Sequence, residues 1–386
     1  MTQRADALAI GIELVDVRDN RRLWSAQYNR KPSDVLAMQQ EIAREVAEKL
    51  RPRLGSSEKQ RLKKHYTESA DAYGAYTRGR FMFEKRTAPA TETSIKYFEQ
   101  AIKLDPDYAL AYAALADAQL SLSQLGTLRL PAEVMPEAKA AVAKALAIDG
   151  TLAEAHASLG RIKLFEWDWA GAEREFKRAR ELNPNYEGNE DSDAHYLRVM
   201  KRFDEAVAES RRILELEPVS VLYNRNVAIN LYYARRYDEA MEQCKRTLEL
   251  DPNMPTAYRS LAKSYEQQGL YEQAVEAYLK TVEFSNLGPE GGAALKDAYA
   301  ASGWKGFWRK SLELKKERAK QRRVSLYALG ENYARLGEKD QAFAWLEKVY
   351  EQRSLALSQL NGDPLWDGFR SDPRYADLVR RMGLEP

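Results

Sequence analysis

Residues 255–288 decide the fold, and they read PTAYRSLAKSYEQQGLYEQAVEAYLKTVEFSNLG. Large and small apolar side chains recur in this stretch, mostly at helical steps of three and four residues: Tyr258, Leu261, Ala262, Tyr265, Ala274 and Tyr278. Such spacing is typical of an amphipathic helix face. Elements of the same pattern return along the chain 34 residues further on, so the stretch is one unit of a repeat.

Four separate residue types keep the 34-residue period. Alanine recurs at Ala138, Ala172, Ala206, Ala240, Ala274 and, two periods on, at Ala342. The other three sets are Tyr265, Tyr299 and Tyr333; Gly269, Gly303 and Gly337; and Pro184, Pro218 and Pro252. Agreement of four sets on one period excludes chance and predicts a stack of similar units.

These residues resemble the tetratricopeptide repeat, in which each unit is a pair of antiparallel helices. The resemblance implies an all-α, right-handed solenoid. Small residues on the first helix of a unit and the alanine on the second would let the two backbones approach closely. The small residues of the first helix are Gly160, Ala194, Ala228, Ala262 and Gly330.

We count about eight helix-turn-helix units in an array over residues 67–356, numbered units 1 to 8 below. They lie near 72–108, 109–152, 153–186, 187–220, 221–254, 255–288, 289–322 and 323–356. Unit 7 has Lys296 and Trp308 at its two close-contact positions, which predicts wider packing. We expect Trp304 and Phe307 to fill that gap together with Trp308.

Residues 357–386 are predicted to be a C-terminal capping segment, because the last unit of a repeat array needs a polar outer face. Asp372-Pro373 is expected to begin a short amphipathic helix. The apolar side of this helix would hold Tyr375, Leu378, Val379 and Met382.

The first 66 residues follow a different pattern. Leu8, Ile10, Ile12 and Leu14 alternate with period two, which predicts a strand. A turn at 18–21 and a second strand at 23–28 complete a small N-terminal β-hairpin. A helix with Val35, Met38, Ile42, Val46 and Leu50 on one side should follow.

Two strands and one helix rarely stand alone. Partner strands would come from another chain or from an upstream part of a larger α/β domain. An open edge on the first strand is able to pair with a second copy, so a homodimer through this strand is one of the predicted assemblies.

Residues 13–17 (ELVDV), 23–30 (LWSAQYNR) and 35–43 (VLAMQQEIA) are similar to the end of the TolB-amino-terminal-like module. In many bacterial signalling proteins and transcriptional regulators, this module precedes a tetratricopeptide array. Further matches to that family are YTRGR at 76–80, SGWKGFW at 302–308, YARLGEKD at 333–340 and RSDPRY at 370–375. The resemblance implies a sensory or scaffolding role beside an effector such as a DNA-binding domain, a Ser/Thr kinase or a nucleotide cyclase.

Charge and composition exclude several function classes. The 60 Lys and Arg residues nearly balance 58 Asp and Glu residues, which argues against nucleic-acid binding through overall charge. One cysteine and three histidines leave no disulfide framework and little room for a metal site, so no metal or cofactor is predicted. No apolar run is long enough to span a membrane, and the N-terminus lacks the apolar stretch of a signal peptide. A cytoplasmic location is expected, or a periplasmic one if a membrane anchor precedes this sequence.

No catalytic residues are predicted, and we expect that the chain is not an enzyme. Phosphate-binding glycine loops, a Gly-x-Ser-x-Gly elbow and a His-Glu-x-x-His pair are all missing from the sequence. Cys244 falls at the aromatic position of the second helix of unit 5, where a buried structural thiol is expected. His156 is expected in the core, and His195 toward the groove.

The concave groove is the predicted binding surface, because relatives of this repeat bind extended peptides there. Arginine and asparagine side chains suit carboxylates and peptide backbone. The arrangement resembles the carboxylate clamp of chaperone-binding members, although Ile229 stands where that clamp has asparagine. We predict a protein or peptide partner, with an acidic one as one alternative and ordinary solvated charge as the other. The groove-facing residues are Arg225, Asn226, Tyr232, Tyr233, Arg259 and Lys263.

A second candidate surface is a basic stretch between 305 and 323. Its members are Lys305, Arg309, Lys310, Lys315, Lys316, Arg318, Lys320, Arg322 and Arg323. Such a stretch is able to contact nucleic acid or an anionic membrane. The favoured interpretation is a solvated face whose aliphatic stems pack on the core, so nucleic acid is not the expected partner.

The sequence therefore predicts a non-enzymatic scaffold or sensor region of a bacterial signalling or regulatory system, which binds a partner protein in its concave groove. One alternative is the C-terminal fragment of a larger regulator, such as a transcription factor, a Ser/Thr kinase or a nucleotide cyclase. The other is an oligomerisation module that acts through the N-terminal strands. No small-molecule substrate is evident.

Overall fold

The repeat units are helix pairs. A computed structural model describes residues 2–4, 7–16, 21–31, 38, 41–42, 45–46, 66–124, 129–184, 190–284, 287–320 and 324–386. The pairs are α1 (Ala70–Phe83) and α2 (Ala88–Leu104), α3 (Ala109–Gln124) and α4 (Pro131–Ile148), α5 (Ala153–Glu166) and α6 (Trp169–Leu182), α7 (Glu190–Val199) and α8 (Phe203–Leu216), α9 (Val221–Tyr233) and α10 (Tyr237–Leu250), and α11 (Pro255–Gln267) and α12 (Tyr271–Glu283). Unit 7 contains α13 (Gly288–Ala319), and unit 8 contains α14 (Leu326–Leu336) and α15 (Lys339–Glu351). The predicted array of paired helices is confirmed.

Small residues hold the two helices of a unit together, as the repeat predicts. A Cβ atom placed on Gly160 would lie 2.4 Å from the ring of Phe176. The same test at Gly79 gives 2.5 Å to the ring of Phe98. Because both rings are fully buried, neither has room to move away, so each position needs a residue without a side chain.

Unit 7 is one continuous helix only in name. Inside α13, Ser302 (φ −143°) and Gly303 (φ 60°, ψ −152°) leave the helical region and separate two helical halves. Phe307 and Trp308 are buried at the start of the second half, and their ring centroids lie 5.1 Å apart. Trp304 packs 5.4 Å from Trp308, so the expected aromatic cluster fills this unit.

The turn between the two helices of a unit uses one left-handed residue at the same place in six units. Its members are Trp167 (φ 61°), Lys201 (58°), Arg235 (61°), Gly269 (74°), Gly303 (60°) and Gly337 (77°). Successive members lie 34 residues apart. Glycine adopts this conformation freely, whereas other residues pay for it in backbone strain. The glycine series read from the sequence is therefore half of a longer structural series.

The N-terminal residues form a three-stranded antiparallel sheet in the order β1 (Thr2–Arg4), β2 (Ala7–Asp16), β3 (Arg21–Arg30). Both strands of the predicted hairpin are present and are longer than expected. The short β1 was not predicted, since three residues carry no alternating pattern. Ile10 and Ile12 pack with Tyr28 against Met38 and Ile42, which are helical.

The C-terminal residues do not form an outer cap. Two 3-10 helices, Leu355–Asn361 and Pro364–Phe369, precede α16 (Pro373–Arg381). The predicted helix is confirmed, with Asp372 accepting a hydrogen bond from the backbone N–H of Arg374. Before it, however, the chain turns back and packs on the first helices of units 4, 5, 6 and 8. The expectation of a capping segment with a polar outer face is wrong for residues 357–369, because most of their apolar side chains are buried.

Candidate functional site

The candidate site is the inner wall, by which we mean the face formed by α7, α9, α11 and α14. The residues that cross this wall, 354–369, are called the closing segment below. Its Asp363 side chain is 0% exposed and lies against two residues of the wall. Lys263 Nζ is 2.6 Å from Asp363 Oδ2, and the Tyr232 hydroxyl donates to Asp363 Oδ1 at 2.7 Å. Two of the six predicted groove residues therefore bind the chain's own carboxylate.

Further contacts run along the whole closing segment. The Tyr233 hydroxyl donates to Gln359 at 3.3 Å, and the Arg235 guanidinium contacts both oxygens of Asp367 at 2.9 Å. His195 Nε2 lies 2.9 Å from the hydroxyl of Ser358, so His195 faces the groove as expected. Asn361 donates to the carbonyl oxygen of Val199 at 2.8 Å. These contacts resemble those of a bound peptide, but the peptide belongs to the same chain.

Burial decides whether another peptide is able to replace the closing segment. Leu357, Leu360 and Trp366 are each 0% exposed. Exposing each of these side chains costs about 1.5–3 kcal/mol, so their joint release would cost roughly 5–9 kcal/mol. Tyr232, Tyr233 and Lys263 are consequently contacts of the folded core. The prediction that these three bind a partner peptide is corrected on this ground.

The inner wall also holds a network of charges with little access to water. Lys263 Nζ lies 3.4 Å from Glu331, and Arg335 Nε lies 2.8 Å from Glu266, whose side chains are 3% and 8% exposed. Burial alone would raise the pKa of Asp363, but the nearby Lys263 and hydrogen bonds outweigh it and hold that pKa below its usual value. Burial likewise acts to lower the pKa of Lys263, yet Asp363 and Glu331 raise it. The ionised forms are thus favoured on both sides of the pair.

Arg225 and Arg259 lie outside the closing segment. Arg225 is seven residues before Tyr232 on α9, which is about 10 Å along a helix. Arg259 is one turn before Lys263 on α11, is exposed, and makes no hydrogen bond or ion pair with any residue that the structure describes. Arg225 is half-buried and its Nε donates to Asn226 Oδ1 at 3.0 Å. Asn226 is 2% exposed, so it holds Arg225 from within the wall and does not itself face a ligand.

The basic stretch of α13 is less of a surface than its sequence suggests. Lys310 pairs with Glu313 at 3.0 Å and Lys320 with Glu317 at 2.6 Å, one helical turn away in each case. Lys316 is exposed and stacks over the ring of Tyr333. Lys305 and Arg309 are exposed, and Arg318 is half-buried. Arg322 and Arg323 lie outside the described residues.

Lys315 does not belong to that surface at all. Its ammonium group donates to the fully buried Asn332 at 2.6 Å and lies over the ring of Trp308. The prediction that placed Lys315 among the surface cations is corrected, because its side chain extends between α13 and α14. No feature of the sequence alone separates this lysine from its neighbours.

The remaining chemically notable side chains are structural. Cys244 is fully buried, and burial raises the pKa of its thiol to about 12. His156 is held between Glu175 (2.7 Å) and the carbonyl oxygen of Gly150 (3.2 Å). No group of three or more metal-binding side chains occurs in the described part of the chain. None of the helices described by the structure combines the length and apolarity that crossing a membrane requires.

Comparison with known proteins identifies the repeat. Family models described as Tetratricopeptide repeat match residues 226–289, 91–108 and 324–354. A curated protein of Rhizobium meliloti (strain 1021), "Putative adenylate cyclase 3", is 25% identical over 112 residues, which is 29% of this chain and 19% of that protein. The matched stretch is therefore less than a fifth of the length of this relative.

Solved structures share the architecture. PilF of Pseudomonas aeruginosa is 18% identical, with 65% of this chain and 94% of that chain covered and a TM-score of 0.40. YrrB, described as a tetratricopeptide-repeat protein with an unusual peptide-binding site, is 20% identical, with 52% and 97% covered and a TM-score of 0.35.

Proposed function

Since the chain carries tetratricopeptide repeats, we propose that it is a protein–protein interaction scaffold and that it binds a partner protein within a bacterial regulatory system. The repeat provides an extended surface to which each unit contributes a few side chains, and stacked units of this kind bind other proteins. Specificity then depends on the side chains that the fold leaves accessible.

The partner would contact the arginine edge, by which we mean Arg225 and Arg259. The single observation that carries this proposal is that Arg259 is exposed and has no counter-charge among the described residues, while the closing segment occupies the neighbouring wall. Arginine guanidinium groups bind carboxylates through paired hydrogen bonds. An acidic segment of the partner is therefore the ligand that fits this edge.

The regulatory context draws support from the Rhizobium meliloti relative, whose name describes a cyclase. In a protein of that kind the repeats would receive a signal from a partner, and other parts would carry out the chemistry. Intact-mass measurement of the native gene product tests this part of the proposal. A mass that includes an effector domain supports it.

Partner binding is tested with purified full chain as bait and a charge-reversal variant of the arginine edge. Arg225→Glu combined with Arg259→Glu should weaken a captured partner by about tenfold or more, since two charge-assisted contacts are lost. The matched control is Lys245→Glu combined with Arg246→Glu, which makes the same charge change at two exposed positions on α10. Equal affinity of the purified partner for both variants and the wild type would contradict the proposal.

A second candidate function is self-association through the N-terminal sheet. The strand β1 pairs only with Ala7–Ala9 of β2, so the same edge of β2 from Ile10 to Asp16 has no partner strand among the described residues. Such an edge is a template for another strand. Light scattering should then show a dimer that disappears when residues 1–30 are deleted, whereas a monomer at high concentration would exclude it.

A further inference from the structure

Lys315 is a buried cation with an incomplete set of partners. Its ammonium group has three donors, and the described residues offer it one hydrogen-bond acceptor, the neutral amide oxygen of Asn332 at 2.6 Å. Asn332 is itself held by a hydrogen bond to Ser311, so its oxygen is fixed in place. Removing an ammonium group from water without a counter-charge is costly, and a protein keeps such a group where a ligand completes it.

The carboxylates near Lys315 are already engaged by other cations. Glu331 lies 3.4 Å from Lys263, and Glu266 lies 2.8 Å from Arg335. Asp363 is bound by Lys263 at 2.6 Å. Lys315 and the exposed Arg259 are therefore the cations of this wall that these three carboxylates leave without a close counter-charge.

Lys315 and Arg259 are brought together by the packing of three helices. On α11, Arg259 precedes Lys263 by one turn, and Lys263 contacts Glu331 of α14. The next residue of α14 is Asn332, which binds Lys315 of α13. Burial lowers the pKa of Lys315 to about 8, with Glu331 acting to raise it and both Arg335 and Arg259 acting to lower it further. Positive potential thus collects where the arginine edge meets α13.

We infer that Lys315 and Arg259 form an anion subsite that binds a carboxylate of the partner's acidic segment. Arg259 supplies a guanidinium at the exposed side of the subsite, and Lys315 supplies an ammonium at its floor. A carboxylate bound there would fill the remaining donors of Lys315 and offset the repulsion between the two cations. This inference rests on the proposed function and names the chemistry of one contact within it.

The experiment uses the full chain and fluorescein-labelled hexaglutamate as the probe, with hexaglutamine as the neutral comparison. Lys315→Met keeps much of the side-chain length and removes the charge, so fluorescence anisotropy should show hexaglutamate affinity reduced about tenfold. The matched control is Lys316→Met, the adjacent lysine that is exposed over Tyr333. Its affinity should stay within about twofold of the wild type, because an exposed charge is screened by solvent.

A pH series separates the ammonium of Lys315 from a merely structural role. Between about pH 7 and pH 9.5 the wild type should lose affinity for hexaglutamate as Lys315 releases its proton. Lys315→Arg remains charged over this range and should keep its affinity. This second variant also serves if Lys315→Met fails to give a folded chain by circular dichroism.

The outcomes distinguish the subsite from the broader proposal. Hexaglutamate affinity that is equal in the wild type and Lys315→Met, or no binding of hexaglutamate by the wild type, would overturn the subsite. Partner binding that survives Lys315→Met but is lost in the arginine-edge variant would overturn only the role of Lys315. Partner binding that survives both would remove the proposed function as well.

Discussion

The inner wall has two halves that are built from the same repeat and held together differently. In units 1 to 3, the inner-wall pair Arg161–Asp117 joins α5 to the neighbouring α3 at 3.0 Å, with side chains 10% and 14% exposed. In units 4 to 8, Asp363 contacts Lys263 and Asp367 contacts Arg235, which lie 100 and 132 residues apart along the chain.

This difference bears on how the molecule unfolds. A repeat array is stabilised mainly by contacts between neighbouring units, so its ends open independently. The closing segment instead binds units 4, 5, 6 and 8 to one strap of chain, and the indole N–H of Trp169 in unit 3 donates to the carbonyl oxygen of Met382 at 2.7 Å. We therefore expect units 4 to 8 to unfold as one cooperative block, and units 1 and 2 to open separately.

The largest expected effect comes from removing the anchor of the closing segment. Trp366 is fully buried and donates to the Tyr327 hydroxyl at 2.8 Å. Trp366→Ala should lower the free energy of unfolding by about 3–5 kcal/mol, because it leaves a large cavity and an unpaired hydroxyl. Chemical denaturation measures the loss.

Cys244 reports where that loss occurs. The buried thiol in unit 5 should react with Ellman's reagent only when the block opens, so Trp366→Ala should react faster than the wild type. Hydrogen exchange in α1 to α4 should stay unchanged. The matched control is Trp345→Ala, a half-buried position on α15, and an equal effect there would remove the special role of the closing segment.

A second substitution compares the two halves directly. Asp363→Asn keeps the shape of the side chain and leaves Lys263 with Glu331 alone, so we expect a loss of about 3 kcal/mol. Asp117→Asn makes the same change in units 1 to 3, where the pair retains access to water, and should cost about 1 kcal/mol. Equal losses, measured by urea denaturation, would show that the two halves are held by the same kind of contact.

Acid should weaken the block through the same carboxylate. The pKa of Asp363 is lowered in the folded protein, so its contribution to stability is present at neutral pH and is lost as the pH falls below about 4, the value in the unfolded chain. Asp363→Asn should have a flatter dependence of unfolding free energy on pH in this acid range. A dependence identical to that of the wild type would assign acid sensitivity to other carboxylates.

Periodicity explains what the sequence could predict. Residues that every unit needs, such as Gly160 against Phe176, recur and so identify the helix pairs. The closing segment has no counterpart in another unit, and its partners are far away in the chain. Its acidic residues beside a basic inner wall were a usable signal. The burial of Lys315 had none, because on a helix wheel it looks like any other lysine of a charged helix.

The smallest expected effect concerns the turns that both halves share. Lys201 has φ 58° at the position where Gly269 and Gly337 have 74° and 77°, and it contacts the carbonyl oxygen of Glu385 only at 3.4 Å. Lys201→Gly should stabilise the chain by about 1 kcal/mol, since glycine relieves the left-handed strain. Gly269→Ala should cost a similar amount by the reverse argument. Because each turn is local, combining Lys201→Gly with Trp366→Ala should give the sum of the two separate changes in thermal unfolding. A clear departure from that sum would mean that the closing segment also sets the geometry of the turns.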